Sequence, residues 1–303
     1  MPCRIIGDSM SIFSEANQHP QSLENEAGGT PLPAAEDFDT LYTDWIGKLE
    51  NHLADLGHRS DLNLDDADIR FSSSLPLSRI RSVSVAIVGA GGLGNWQWRI
   101  LLGMGFRNIS IFDDDVVSIE NIGPQAHNLC DIGLPKVEAV RRAGIAARGV
   151  EIAAYNRRVH SLGDIREALG YTPDILITCT DSAEFRNGFI TGLASAFRHD
   201  APQEYATGTS YPDLLLDYRM SLGDWTCYAI PLRIMRRVPR QSMLAQYCSE
   251  AVFPPEEAVQ ESCTERAIVY TGASVASYTG AFLHWWFTGG KASVNEKLAA
   301  FFD

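Results

Sequence analysis

The chain has 303 residues, 45% of them hydrophobic and 21% charged, which is an ordinary globular balance with length for one large domain or two modest ones. The formal net charge is −13, so bulk electrostatics argue against a nucleic-acid-binding protein. The acidity is local: positions 1–68 hold 14 acidic and 3 basic residues, and the remainder is nearly balanced. Six widely spaced cysteines without a Cys-x-x-Cys pair argue against a disulfide scaffold. Neither the start, MPCRIIGDSM, nor the apolar run Gly272–Phe287 has the make-up of a signal peptide or a membrane span. A soluble cytoplasmic protein is expected, with neither a nucleic acid nor a membrane as partner.

Residues 1–35 are rich in Ser, Asn, Gln, Gly, Pro and Glu and read as a disordered acidic arm. A helical segment spans 36–68. Phe38, Leu41, Trp45, Ile46, Leu49, Leu53 and Leu56 recur there at three- and four-residue spacing, suiting packing on the main body or docking of a partner. The body, 69–303, begins with the strand pattern Val83–Val88, the loop GAGGLG and an apolar helix near Leu93–Met104. A second strand, Ile109–Phe112, ends in Asp113, Asp114 and Asp115. A helix over Pro135–Ala147 follows, then candidate strands at Ile152–Tyr155, Asp174–Thr178 and Glu204–Thr207, with helices near Ile165–Leu169 and Glu184–Phe197 between them. This alternation predicts an α/β fold, a Rossmann-like and mainly parallel sheet with helices on both faces. The runs Leu214–Ser221 and Trp225–Ile230 predict a C-terminal antiparallel extension. A mobile loop is expected over 236–266 and a final helix over Ala273–Phe287.

Gly89, Gly91, Gly92 and Gly94 would let backbone N–H groups approach a phosphate at a helix N-terminus, and the flanking strand and helix give the pattern weight. Asp113 falls at the end of the second strand, where a carboxylate can take ribose hydroxyls. These features indicate a nucleotide without separating NAD from ATP, or a filled site from an empty structural turn.

Further residues narrow the reading. After Asp113 and Asp115 come Asn121 and Gln125, then Gly133-Leu134-Pro135-Lys136-Val137, then Cys179-Thr180-Asp181 with Arg186-Asn187. This ordered set resembles the ThiF/MoeB/HesA family, bacterial relatives of ubiquitin-activating enzymes, over about residues 80–190. The resemblance implies an ATP- and magnesium-dependent adenylyltransferase. Its substrate would be the C-terminal carboxylate of a small ubiquitin-like or sulfur-carrier protein, and its products an acyl-adenylate and pyrophosphate. It also implies a homodimer. By that likeness Lys136 would meet the triphosphate, Asp181 a magnesium ion, Asp113 the ribose, and Asn121, Gln125 and Arg186 the phosphates or loops. Each residue keeps a plainer alternative: Lys136 solvated on its helix, Asp181 capping the helix that follows, Arg186 on a helix surface, Asp115 an exposed acid.

Three departures stand out. Where the family has arginine in its Asn-x-x-Arg-Gln element, this chain has Pro124, which carries neither charge nor donor. Arg70, with Arg79 and Arg81 as alternatives, is the candidate to replace it from the partner subunit. The two Cys-x-x-Cys positions that hold zinc in many relatives keep only Cys227 and Cys263, so zinc is not expected. Cys248, in the 236–266 loop, is the candidate acceptor for a thioester or persulfide, with an inert thiol as the alternative. Two further readings stay open: a non-catalytic nucleotide-binding partner subunit, which Pro124 suggests, and adenylation of a non-protein carboxylate.

Overall fold

The computed structural model describes residues 67–182, 184–189, 211–221, 224–232 and 269–289. The chain divides into two units, Met1–Leu49 and Glu50–Asp303, and every described residue lies in the second. The expected arm 1–35, nearly all of the 36–68 segment, the candidate strand Glu204–Thr207 and the 236–266 loop lie outside the described residues.

In chain order the elements are α1 (Leu77–Ser82), β1 (Ser84–Val88), α2 (Gly94–Gly103), β2 (Asn108–Phe112), α3 (Lys136–Arg148), β3 (Ala153–Tyr155), α4 (Leu162–Leu169), β4 (Ile175–Thr178), β5 (Leu214–Ser221), β6 (Asp224–Ile230) and α5 (Val269–Thr288). Residues 184–189 are also helical. The strands form one sheet in the order β3-β2-β1-β4-β5-β6. Pairs β1–β2, β1–β4, β2–β3 and β4–β5 are parallel, and β5–β6 is antiparallel. The expected hairpin is therefore present, but its first strand completes the parallel sheet and only β6 runs against it. Hydrophobic alternation fixes which face a strand buries. It does not encode the direction of its neighbour.

Period-two alternation sorts the core into two layers. Val85, Ile87, Ile109, Ile111, Ile175 and Ile177 face one way, against Trp98, Leu101, Val137, Val275 and Leu283 from α2, α3 and α5. Ala86, Val88, Phe112, Leu176 and Leu215 face the other, against Val159, Leu162, Ile165 and Phe185. Each fully buried Ile or Leu is worth about 1.5–3 kcal/mol over an exposed one. β1 and β4 are therefore apolar at nearly every position because both of their faces are covered.

Helix ends follow local chemistry. Ser161 accepts from the Asp164 amide at the start of α4, and Gly170 ends that helix at φ +76. α4 thus begins three residues before the apolar pattern suggested, because its cap rather than its buried face sets the start. α5 likewise begins at Val269, ahead of the expected Ala273. Trp285 is at the surface, whereas Trp286 packs on the core and stacks on Phe282. No described helix is long and apolar enough to cross a membrane.

The N-terminal edge of the sheet is pinned by one acid. Asp68 is fully buried and bonds Arg81 (3.2 Å), Arg107 (2.6 Å) and Arg148 (3.4 Å). Those arginines lie at the end of α1, just before β2 and at the end of α3, all at the edge where the parallel strands begin.

Candidate nucleotide site

Register brings the site together. Val88 pairs with Phe112 and Thr178, and Phe112 pairs with Tyr155, so β1, β2, β3 and β4 end level with one another. The segments beginning at Gly89, Asp113, Asn156 and Cys179 therefore leave the sheet side by side. Strand order reverses between β1 and β4, and crevices at such switch points take ligands in open α/β sheets.

The glycine loop is fixed by close backbone approach. Gly89 donates to the Phe112 carbonyl at 2.8 Å and has φ +95. A Cβ on Gly89 would stand 2.8 Å from the Cys179 carbonyl oxygen, and one on Gly94 only 1.7 Å from the Gly89 oxygen. Both positions therefore require glycine. α2 starts at Gly94 with no side-chain cap, and its Asn95 and Trp96 amides donate to the Gly91 and Leu93 carbonyls, each at 3.1 Å.

Asp113 braces this loop. Its Oδ2 accepts from the Ala90 amide at 2.6 Å and its Oδ1 from the Asp115 amide at 2.8 Å. Burial pushes the Asp113 carboxyl upward, against the pull of those amides and of Lys136. Lys136 is itself buried, with Nζ 2.8 Å from the Asp115 carboxylate, while its amide donates to the Asp115 carbonyl. Val116 bridges to Pro135, so residues 115–117 and 133–136 hold the lysine at this edge.

Asn121 turns its side chain on its own turn, accepting from the Ser118 amide and hydroxyl at 3.0 Å each. The carbonyls of residues 124, 125 and 126 dock on one helix, α2. Pro124 O accepts from Trp96 Nε1 at 3.4 Å, Gln125 O from Asn95 Nδ2, and Ala126 O from Arg99 Nη2 at 2.9 Å. Gln125 Oε1 is buried without a hydrogen-bond partner and lies 4.0 Å from where a Cβ on Gly91 would stand, so it faces the glycine loop.

Sequence reasoning missed His127. It is buried, hydrogen-bonds the Ala90 backbone and leaves Nε2 unpaired. Burial first, then Lys136 and Arg99, depress it to about 4, with Asp131 and the Ala90 bond pulling the other way. Ala90 is thus held by both Asp113 and His127. An isolated histidine in a polar stretch gives no sign in the sequence of standing against a loop 37 positions earlier.

After β4, Cys179 donates its amide to the Val88 carbonyl at 2.8 Å. Burial pushes its thiol well up, and Cys227 is pushed up to about 12 for the same reason. Thr180 Oγ1 takes the Ser182 amide, and Ser182 Oγ takes the Phe185 amide. Ser182 Oγ thus caps the helical residues 184–189 at Phe185, and the Asp181 side chain is exposed at the rim. An exposed carboxylate there is a hard oxygen donor of the kind Mg²⁺ takes. Arg186 turns inward instead, bonding the Thr180 carbonyl, the Tyr218 carbonyl (3.4 Å) and buried Asp217 (3.4 Å), and so holds the 179–182 loop from behind.

Asp113, Asp114 and Asp115 present carboxylate oxygens within 4.8 Å of one another. The Arg158 guanidinium, from the loop after β3, lies 3.2 Å from Asp114. Arg70 is exposed, two residues from Asp68 and so at the opposite edge of the sheet. Of the alternatives, Arg81 bonds Asp68 and Arg79 lies over the Phe287 ring. Cys248 and Cys263 lie outside the described residues. A cavity of about 690 Å³, lined by Arg166, Tyr171, Asp174 and Asp213 among others, opens where β4 and β5 begin and shares no residue with the glycine loop. Asp174 there is engaged with the Ser84 amide and hydroxyl.

Residues 64–198 match the ThiF family. The chain is similar to tRNA threonylcarbamoyladenosine dehydratase 2 of Saccharomyces cerevisiae, 31% identical over 135 residues, which is 44% of this chain and 30% of that protein. It is also similar to molybdopterin-synthase adenylyltransferase of Escherichia coli, 34% identical over 120 residues, or 39% of this chain and 47% of that protein. The matched stretch thus spans less than half of either relative. Among solved structures, the E. coli tRNA N6-threonylcarbamoyladenosine dehydratase TcdA aligns over 74% of this chain and 96% of its own, with 13% identity and a TM-score of 0.47.

Proposed function

Because residues 64–198 of this chain match the ThiF family, we propose that it binds magnesium-ATP at the level strand ends and adenylates a carboxylate. The substrate of choice is the C-terminus of a small ubiquitin-like or sulfur-carrier protein. The observation that carries the reading is the register, which sets the glycine loop, Asp113 and Asp181 side by side at the switch point of the sheet.

In this reading a carboxylate oxygen of the substrate attacks the α-phosphorus, the bond to the β-phosphate bridging oxygen breaks, and pyrophosphate leaves with that electron pair. A carboxylate is ionised at neutral pH, so no general base is required. The difficulty is to bring an anion to a polyanion in line, and that is a matter of placement and of positive charge. The backbone amides of the glycine loop would face the phosphates, Lys136 would supply a point charge, and Asp113 sits where a ribose would bind. Asp181 would hold the magnesium ion, which neutralises phosphate charge when bound. Arg70 would serve only a second copy's site, which calls for a homodimer. Cys248 is the candidate for any later acyl or sulfur transfer. A need for ATP fits the cytoplasm.

ATP–pyrophosphate exchange, run with purified carrier proteins ending in Gly-Gly, tests the proposal. Asp181→Asn should lower exchange by at least about a hundredfold, the scale of losing one transition-state contact, with an unchanged melting temperature because the side chain is exposed. Native-rate exchange in that variant would refute the assignment. One observation favours a second reading: Pro124 replaces a cation, and its carbonyl is taken up by Trp96. A nucleotide-binding partner subunit without its own catalysis would bind magnesium-ATP and give no exchange with any carboxylate.

A further inference from the structure

We propose that Arg158, on the loop leaving β3, makes the cationic contact with the nucleotide's polyphosphate that position 124 cannot make. The inference rests on the nucleotide reading above and adds to it a residue that sequence motifs do not mark.

Position is the first argument. Tyr155 pairs with Phe112, so the loop after β3 leaves the sheet beside the acids after β2. Arg158 follows three residues later, with its guanidinium 3.2 Å from Asp114. The charges of Asp115 and Asp181 also act on it. Asp115 follows β2 and Asp181 follows β4, on either side of the glycine loop that follows β1. Arg158 therefore stands on the β3 side of that mouth, against Asp114.

The second argument is what the neighbouring cations already do. Lys136, the point charge of the reading above, is buried and paired with Asp115, whose charge offsets part of its own. Arg186 faces inward on Thr180, Tyr218 and Asp217. Arg99 holds the Ala126 carbonyl and lies over the Trp98 ring. Pro124 has no charge to offer. Arg158 is 62% exposed and its partner Asp114 is 42% exposed. A surface ion pair of that kind is worth little and is easily given up. A phosphate offers the guanidinium two parallel charge-assisted bonds, and a released Asp114 stays solvated. Asp114 thus parks the arginine at the rim while the site is empty. The four carboxylates Asp113, Asp114, Asp115 and Asp181 make that rim anionic, so a polyanion needs such a cation to enter.

Titration calorimetry with magnesium-ATP, AMP and adenosine, on the full chain and on Arg158→Ala, tests the proposal. The variant should bind magnesium-ATP at least about tenfold more weakly and adenosine as the native chain does, with the melting temperature unchanged. Asp114→Asn should bind magnesium-ATP as well as the native chain or better. Equal weakening for magnesium-ATP and adenosine would make Arg158 a base contact and overturn the proposal, as would unchanged magnesium-ATP binding. An Asp114→Asn defect matching that of Arg158→Ala would show the pair to be structural and overturn it too. Failure of the native chain itself to bind magnesium-ATP would be a different result, against the nucleotide reading as a whole.

Discussion

His127 gives the sharpest test of the packing around the glycine loop. Its pKa is about 4 in the folded chain against 6.5 for an ordinary imidazole. Above pH 6.5 both states carry the neutral ring and the group adds no pH dependence. As pH falls from 6.5 towards 4, the unfolded chain takes up the proton first, so stability is lost across that window. At about 1.4 kcal/mol per pH unit the loss comes to about 3 kcal/mol, a large part of a typical 5–15 kcal/mol. The physical cause is plain: a proton on Nε2 would be a buried donor with nothing to receive it. His127→Leu removes the titrating group and leaves the Ala90 carbonyl without its imidazole, which costs about 1–3 kcal/mol at pH 7. Urea unfolding of both proteins at intervals from pH 7 to pH 4 cancels the acids they share. The native advantage at pH 7 should shrink by about 3 kcal/mol and vanish or reverse near pH 4. Two stability curves that stay parallel would show that His127 is not held neutral by its surroundings.

Four other outcomes follow from the same geometry. Gly94→Ala places a methyl group 1.7 Å from the Gly89 oxygen, so it should abolish magnesium-ATP binding and lower the melting temperature by several degrees. Gly103→Ala, at a helical position with open space around it, should instead be neutral or stabilise by about 0.5–1 kcal/mol in the same melt. Asp68→Ala leaves Arg81, Arg107 and Arg148 without their buried acid and should cost about 3–5 kcal/mol in urea unfolding; a loss below about 1 kcal/mol would remove its anchoring role. Among the described cysteines, iodoacetamide at pH 8 should label exposed Cys130 and spare Cys179 and Cys227 until the chain is unfolded, read by peptide mass spectrometry.

Much of this molecule is written in local sequence. The α/β alternation, the glycine loop, the acid ending β2 and the ordered elements through Arg186-Asn187 are read from neighbours within a few positions, because strand period, glycine and motif spacing are short-range properties. The ThiF resemblance followed from those residues and is matched over 64–198. What tertiary structure decided is everything that depends on contact between distant segments. Direction of β5 depends on β4, not on its own alternation. Arg186 faces Asp217 and the Thr180 carbonyl, not the open rim, because a buried carboxylate 31 positions away draws it in. Ser182 takes the Phe185 amide at the start of the helical turns, a bond that local sequence does not single out, and the Asp181 side chain is exposed at the rim. His127 and Arg158 carry no motif at all. They matter because level strand ends and a folded-back segment bring them to Ala90 and Asp114, and burial and charge at such meetings are properties of the assembled sheet and not of any one stretch of chain.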